Sequence, residues 1–241
     1  MKIIVKKPEE LAEIAAQRYV ELLENKPGAV LGFAPGNALK PLYGELGKLC
    51  VEGKLTLKNA TAFCTEEFEG VDHSDMRSAH AFMDENLFSH TDMDKSRIFY
   101  PCTCAGDDAE KLLQYDKDIE SAGGMDLIAL GIGVNGSIGF NEPATPFESF
   151  THSQQLTDAT REQLTDVFGS ADAVPEKGVT MGIKTIMSAK SVILIASGEE
   201  KADIVYKMVY GKTVTYVPAS MLQIHLDMTL YLDEAAASKL N

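Results

Sequence analysis

The stretch DLIALGIGVNGSIGFNEP, which runs from Asp126 to Pro143, carries the strongest structural signal in the chain. It begins as a continuous apolar run, a pattern typical of a parallel strand that is covered on both faces. Four glycines then follow within nine residues, from Gly131 to Gly139. Glycine lets the backbone approach a small molecule closely, and ligands of open parallel sheets bind beyond the carboxyl ends of the strands. The stretch therefore predicts a buried strand that runs into a ligand-binding loop.

Three other apolar runs end in polar or glycine-containing loops in the same way. They span residues 29–33, 60–65 and 191–196, and segments with helical spacing separate them. Strands that alternate with helices predict an α/β fold with three layers, in which a mostly parallel sheet carries helices on both faces. The loops at 34–39, 65–70, 133–142 and 197–201 would then meet in one crevice.

The rest of the chain is assigned by the same reasoning. Apolar spacing predicts a helix over Val179–Met187 and partial helix over Gln163–Phe168. No linker, repeat or change of composition divides the 241 residues, so we expect a single domain over residues 1–241.

Charge and composition exclude several classes of partner. The formal net charge is -14 and the pI is about 4.8, which argues against nucleic acid and anionic membranes as partners. No apolar run approaches roughly 18 residues and the N-terminus lacks a signal pattern, so we expect a cytoplasmic protein. The four cysteines, at positions 50, 64, 102 and 104, lack zinc-site spacing, so we expect reduced thiols and no metal.

The central loop resembles that of the glucosamine-6-phosphate deaminase/isomerase family, a distant relative of the 6-phosphogluconolactonases. Phe140-Asn141-Glu142-Pro143, preceded by Gly-Val-Asn-Gly-Ser, is similar to the family motif Gly-X-Asp-Gly-His-Ile-Ala-Phe-Asn-Glu-Pro. Residues 63–70 resemble Phe-Asn-Met-Asp-Glu-Tyr-X-Gly, and residues 198–202 resemble Gly-X-X-Lys-Ala.

The resemblance implies a reaction and a substrate class. Members of the family open the ring of an amino-hexose 6-phosphate and move a proton between C2 and C1. They then release ammonia and leave a ketohexose 6-phosphate, without a metal or an organic cofactor. The implied partner is thus a small hexose phosphate, and a homo-oligomer is possible because family members range from monomers to hexamers.

The resemblance also places the catalytic residues, with changes. The family's general base, an aspartate, is Glu66 here, and its relay of aspartate, histidine and glutamate is Asn135, Ser137 and Glu142. Serine cannot shuttle protons as imidazole does with its pKa of about 6.5. Without an imidazolium to stabilise, a neutral Asn135 avoids an unpaired buried charge. The sequence therefore predicts a rewired or absent relay.

The predicted substrate contacts are altered too. A phosphate-binding threonine falls at Ala38, and a phosphate-binding arginine falls at Asp166 in an ungapped alignment. The remaining expected phosphate donors are backbone N–H groups, Lys201 and Lys40. The full set of predicted substrate-binding residues is Gly36, Asn37, Ala38, Glu67, Gly136 and Lys201.

Three functions therefore stay open from the sequence. The first is a deaminase or isomerase that acts on a glucosamine- or galactosamine-type 6-phosphate, with Glu66 as base. The second is a sugar-phosphate-binding paralogue with little or no catalysis, and the third is a 6-phosphogluconolactonase-like hydrolase. His152, just beyond the central loop, is a candidate replacement for the missing imidazole.

Overall fold

The fold is built on a seven-stranded parallel sheet, in a computed structural model that describes residues 1–103 and 108–240. The strand order is β1-β10-β9-β6-β2-β3-β5, and every neighbouring pair is parallel. The strands of this sheet are β1 (Lys2–Val5), β2 (Val30–Phe33), β3 (Thr61–Cys64), β5 (Ile98–Phe99), β6 (Leu127–Leu130), β9 (Val192–Ala196) and β10 (Met228–Leu232).

Both faces of this sheet are covered. Every residue of β2, β6, β9 and β10 is buried, although successive side chains on a strand point to opposite faces. The helices around the sheet are α1 (Pro8–Asn25), α2 (Lys40–Val51), α3 (Ala79–Asn86), α4 (Ala109–Ser121), α5 (Asp158–Gln163), α6 (Thr165–Phe168), α7 (Ile183–Met187) and α8 (Ala202–Tyr210). The predicted α/β fold with a mostly parallel sheet is confirmed.

The order of the strands reverses between β2 and β6. From β2 the chain proceeds outward to β3 and β5, returns to β6 on the other side of β2, and continues to β9 and β10. Ligands of open α/β sheets bind at such a switch point, beyond the carboxyl ends of the strands. The four polar loops follow the adjacent strands β9, β6, β2 and β3, so they lie side by side at one edge of the sheet, where the switch point predicts the crevice.

A second, three-stranded antiparallel sheet stands beside this crevice. It has the order β4-β8-β7, with β4 at Glu66–Phe68, β8 at Lys177–Thr180 and β7 at His152–Gln155. The helix predicted over Val179–Met187 is therefore wrong in its first half, since residues up to Thr180 form β8 and only α7 is helical. Pairing with β4 and β7 overrides the local apolar spacing there.

Two further properties were predicted from the sequence. Of the helices in the described ranges, none is long and apolar enough to cross a membrane. Cys50, Cys64 and Cys102 are reduced thiols, as expected, while Cys104 lies outside the described residues.

Candidate active site

Glu66 enters the crevice at the junction between the two sheets. The preceding residue, Thr65, donates its N–H to Phe33 O of β2 at 2.9 Å and accepts at its carbonyl from Met181 N at 2.6 Å. Glu66 is 5% exposed. The central loop packs against its carboxylate, because a Cβ on Gly139, where φ is +56°, would lie 3.0 Å from Glu66 Oε2.

The environment of Glu66 suits a group that exchanges protons near neutral pH. Burial raises its pKa from 4.5 to about 8, and the charge of Glu67 adds to the rise, whereas a hydrogen bond from the Thr65 hydroxyl opposes it. A general base works best when its pKa lies near the operating pH. Of the predicted site residues, Glu66 thus has the electrostatics of a proton-transfer group.

Glu67 has a different role in the structure. Its Oε1 accepts hydrogen bonds from the N–H groups of Phe68 and Ala79, and its Oε2 accepts one from His80, each at 2.8 Å. These bonds satisfy the first amides of α3, where a carboxylate is favoured by the helix dipole. Glu67 therefore anchors α3, and its predicted contact with substrate stays a prediction.

The three predicted relay positions form one hydrogen-bonded chain. Ser137 N donates to Asn135 Oδ1 at 3.0 Å, and Asn135 Nδ2 donates to Glu142 Oε2 at 2.7 Å. Thr157 completes the set, since its N–H and its hydroxyl each donate to Glu142 at 3.2 Å. Sequence reasoning missed Thr157; its position before a helix predicts a cap but not this contact across 15 residues.

No histidine of residues 1–103 or 108–240 donates to or accepts from this chain. His152 is half-buried, and its ring contacts Phe150 O at 2.8 Å and Gln154 Oε1 at 3.3 Å. The register of the small sheet sets Glu66 opposite Thr180 and Thr180 opposite His152, so His152 lies two strands away, roughly 10 Å by strand spacing. The proposed replacement of the imidazole by His152 stays a prediction.

Lys201 reaches the crevice from the loop after β9. Its ammonium group donates to Ile132 O at 2.8 Å, which ties it to the start of the central loop. Burial lowers the pKa of Lys201, and the carboxylate of Glu200 opposes that change. The Glu200 carboxylate also lies directly against Gly198, where any Cβ would overlap it, at the start of the helical turn Glu199–Lys201 that leads into α8.

The loop after β2 offers backbone N–H groups, rather than charged side chains, to a ligand. A 3-10 turn over Asn37–Leu39 follows the extended Gly36 and leads into α2, so the N–H groups of Asn37 and Ala38 lie in a first helical turn and have no acceptor within the helix. Lys40 turns toward α3, with its ammonium 5.2 Å from the ring centre of Phe82.

Gly136 shapes the central loop. Its φ is +88°, its N–H donates to Gly133 O at 2.9 Å, and its carbonyl accepts from Ala219 N at 2.9 Å. Both backbone groups are thus engaged within the protein, and a Cβ would come within 3.0 Å of Ile204 and Val217.

Within the described chain, no group of three or more His, Cys, Asp or Glu side chains has the arrangement of a metal site.

Comparison with known proteins gives results that agree over almost the whole chain. The model of the family described as glucosamine-6-phosphate isomerases/6-phosphogluconolactonase matches residues 6–231. A glucosamine-6-phosphate deaminase of Clostridium perfringens is 40% identical over 238 residues, which cover 99% of this chain and 98% of the relative. A glucosamine-6-phosphate deaminase of Bacillus velezensis is 42% identical over 229 residues, 95% of each chain. The solved structure of a monomeric glucosamine-6-phosphate deaminase matches with a TM-score of 0.95 at 39% identity, covering 99% of this chain and 100% of that one.

Proposed function

Because the chain belongs to the family of glucosamine-6-phosphate isomerases and 6-phosphogluconolactonases, we propose that it is an amino-sugar phosphate deaminase. It converts a hexosamine 6-phosphate, of the glucosamine or galactosamine type, to a ketohexose 6-phosphate and ammonia. The observation that carries the proposal is a buried carboxyl group, Glu66, whose pKa is raised to about 8 beside the switch-point crevice. The full-length similarity to curated deaminases supports the same reaction.

Glu66 acts as the proton-transfer base. Its carboxylate takes the proton from C2 of the open-chain sugar and returns it to C1 of the enediol-like intermediate. Protonation at C1 leaves an iminium group at C2, to which water adds. The C2–N bond then breaks, so that nitrogen leaves as ammonia and the oxygen of the water becomes the carbonyl oxygen of the ketose. A carboxylate with a pKa near 8 takes the C2 proton more readily than one of ordinary pKa, and its conjugate acid can still release that proton near neutral pH.

Glu142 assists ring opening in this proposal. Its carboxylate is oriented by Asn135 and Thr157, which donate hydrogen bonds to both of its oxygens. Ser137 stands where the family has an imidazole, and its hydroxyl orients the sugar rather than carrying a proton. The phosphate group binds Lys201 and the N–H groups of Asn37 and Ala38.

A second function is favoured by one specific feature of the site. Hydrogen bonds link the Ser137 N–H to Asn135 and Asn135 to Glu142, and no described histidine connects to these residues. A protein without a ring-opening group would still bind open or closed hexose phosphates. In that case the chain is a sugar-phosphate-binding paralogue of the enzymes.

The test is an assay with purified protein and separate substrates. Glucosamine 6-phosphate and galactosamine 6-phosphate are each incubated with the enzyme, and ammonia and ketohexose phosphate are followed together. We expect equal amounts of both products from one of the two sugars. Glu66→Gln should abolish turnover, whereas Glu69→Gln, which changes a half-buried neighbour bonded to Ser153, serves as the matched control.

Three other outcomes have distinct meanings. Ketose without ammonia from a hexose phosphate that lacks the amine would point to an isomerase. Hydrolysis of 6-phosphogluconolactone, with both hexosamine phosphates left intact, would identify the lactonase activity. Binding of a hexosamine phosphate with no turnover of any substrate would contradict the enzymatic proposal and support the binding paralogue.

A further inference from the structure

Thr65, the residue before Glu66, is held by backbone hydrogen bonds on both sides. It lies between the end of β3 and the start of β4, and its backbone is bonded to Phe33 on one side and to Met181 on the other. Its side chain is completely buried. The hydroxyl of Thr65 therefore has a fixed position relative to both sheets.

This hydroxyl donates a hydrogen bond to Glu66 Oε2. Adjacent residues of a regular strand point to opposite faces, so the contact depends on the break in the strand at Thr65. It also depends on the length of glutamate, because an aspartate carboxylate would lie one methylene closer to the backbone. The motif that the chain resembles has Met-Asp at these two positions, so the hydroxyl and the longer side chain occur together here.

The two oxygens of the Glu66 carboxylate have different surroundings. Oε2 is held by Thr65 and backed by the central loop at Gly139. The described part of the chain supplies no hydrogen bond to Oε1. We propose that Thr65 is a positioning residue, which fixes Oε2 and thereby presents Oε1 of Glu66 to the proton of the substrate. This inference rests on the proposed function, since it assigns the geometry of the same base.

The hydrogen bond also lowers the pKa of Glu66. A hydrogen bond to a carboxylate stabilises the ionised form, so Thr65 lowers the pKa of Glu66 against the effect of burial. The other titratable groups around Glu66 are Glu67, Cys64 and Tyr43, of which Glu67 raises its pKa further. Burial raises the pKa of Cys64 and of Tyr43, so both stay neutral at physiological pH.

The first test is the pH dependence of kcat/KM in three variants. Thr65→Val keeps the shape and removes the donor, Thr65→Ser restores the donor, and Thr229→Val removes a buried hydroxyl of β10 far from the base. We expect the rising limb of the profile to move up by about one pH unit in Thr65→Val, so that about tenfold less carboxylate is present at pH 7. The serine and Thr229 variants should keep the wild-type profile. A Thr65→Val profile that coincides with wild type would overturn the proposal.

A second test repeats Thr65→Val in the Glu66→Asp variant, to ask whether the effect depends on the hydrogen bond between the two side chains. In Glu66→Asp the carboxylate is too short to reach the Thr65 hydroxyl, so adding Thr65→Val should cause no further change in the pH profile or in kcat. The same shift in both backgrounds would mean that Thr65 acts through packing and not through this hydrogen bond. The proposal that Thr65 positions Glu66 would then be wrong.

A third measurement does not need turnover. The ordinary pKa of glutamate is 4.5 and burial raises that of Glu66 to about 8, so between these values the folded state keeps a proton that the unfolded state has lost. The free energy of unfolding therefore falls as pH rises through this window. Thr65→Val should extend the fall to higher pH, and Glu66→Gln should remove it. Coincident curves for Thr65→Val and wild type above pH 7 would refute the hydrogen bond, even if no hexosamine phosphate is a substrate.

Discussion

The two sides of the crevice hold their polar groups in different ways. On the carboxylate side, formed by Glu66, the central loop and Thr157, each carboxylate that faces the crevice accepts hydrogen bonds from named protein donors. On the anion side, formed by residues 36–40 and 198–201, the Lys201 ammonium is turned to Ile132 O and two glutamates occupy the first helical turn. The first side satisfies its carboxylates with hydrogen bonds from the protein, whereas the second combines two lysines, Lys40 and Lys201, with two glutamates that disfavour a phosphate.

Burial explains why the two sides differ. Glu66 and Glu142 are almost fully buried, and a buried charge or polar group without a partner is costly, so a change at one position requires a matching partner nearby. Asn135 with Glu142, and Thr65 with Glu66, are such matched pairs. Glu199 and Glu200 are exposed, and water solvates them at little cost to folding. The anion side can therefore change its charge without loss of stability, but at the expense of phosphate affinity.

The largest effect is expected from Glu142→Ala. The change removes the acceptor of the Thr157 N–H. It also leaves the Asn135 amide and the Thr157 hydroxyl, both half-buried, with only longer contacts to Thr157 Oγ1 at 3.4 Å and Thr160 Oγ1 at 3.3 Å. We expect a loss of about 2–3 kcal/mol in the free energy of unfolding, measured by urea denaturation. Glu148→Ala, at an exposed position of the following loop, is the control and should change stability by less than about 0.5 kcal/mol. Equal losses in both variants would show that the network on the carboxylate side adds nothing to stability.

Lys201→Met tests whether the anion side still binds phosphate. The substitution removes the ammonium and keeps most of the side-chain length. We expect the Kd for a hexosamine 6-phosphate, measured by calorimetry, to rise about 30-fold, or roughly 2 kcal/mol, since hydrogen bonds to charged groups contribute on this scale. Lys207→Met changes an exposed lysine of α8 and should leave Kd unaltered. If the Lys201 variant binds as tightly as wild type, the phosphate is held elsewhere.

A smaller effect of opposite sign is expected from Glu200→Gln. The carboxylate beside Gly198 repels an incoming phosphate, although solvent screens it because Glu200 is exposed. Removing this charge should tighten binding of a hexosamine 6-phosphate about threefold at low salt, and less at high salt. Binding of the same sugar without its phosphate should not change. Weaker phosphosugar binding in Glu200→Gln would mean that this carboxylate supports the site, for example by holding Lys201.

Part of the site was predictable because it depends on position along strands. An apolar run that ends in glycines marks a strand end, and four such ends on adjacent parallel strands must share an edge of the sheet. The roles of Glu67 and Thr157 could not be predicted in this way. Glu67 bonds to amides 12 and 13 residues away, and Thr157 bonds to Glu142 across 15 residues. Contacts between residues so far apart in sequence depend on how the loops pack, and the local sequence pattern carries no information about that packing.

The sequence by itself determined the parallel sheet, its crevice and the family resemblance, because buried strands need continuous apolar runs and loops at strand ends need glycine. Only the tertiary structure decided how the small antiparallel sheet forms. Residues 179 and 180 have helical spacing with the residues that follow, yet they pair with β4 and β7 because those strands satisfy their backbone groups and bury Val179. Tertiary structure also decided the state of Glu66: its carboxyl group is ordinary in the sequence, and desolvation in the fold raises its pKa to about 8.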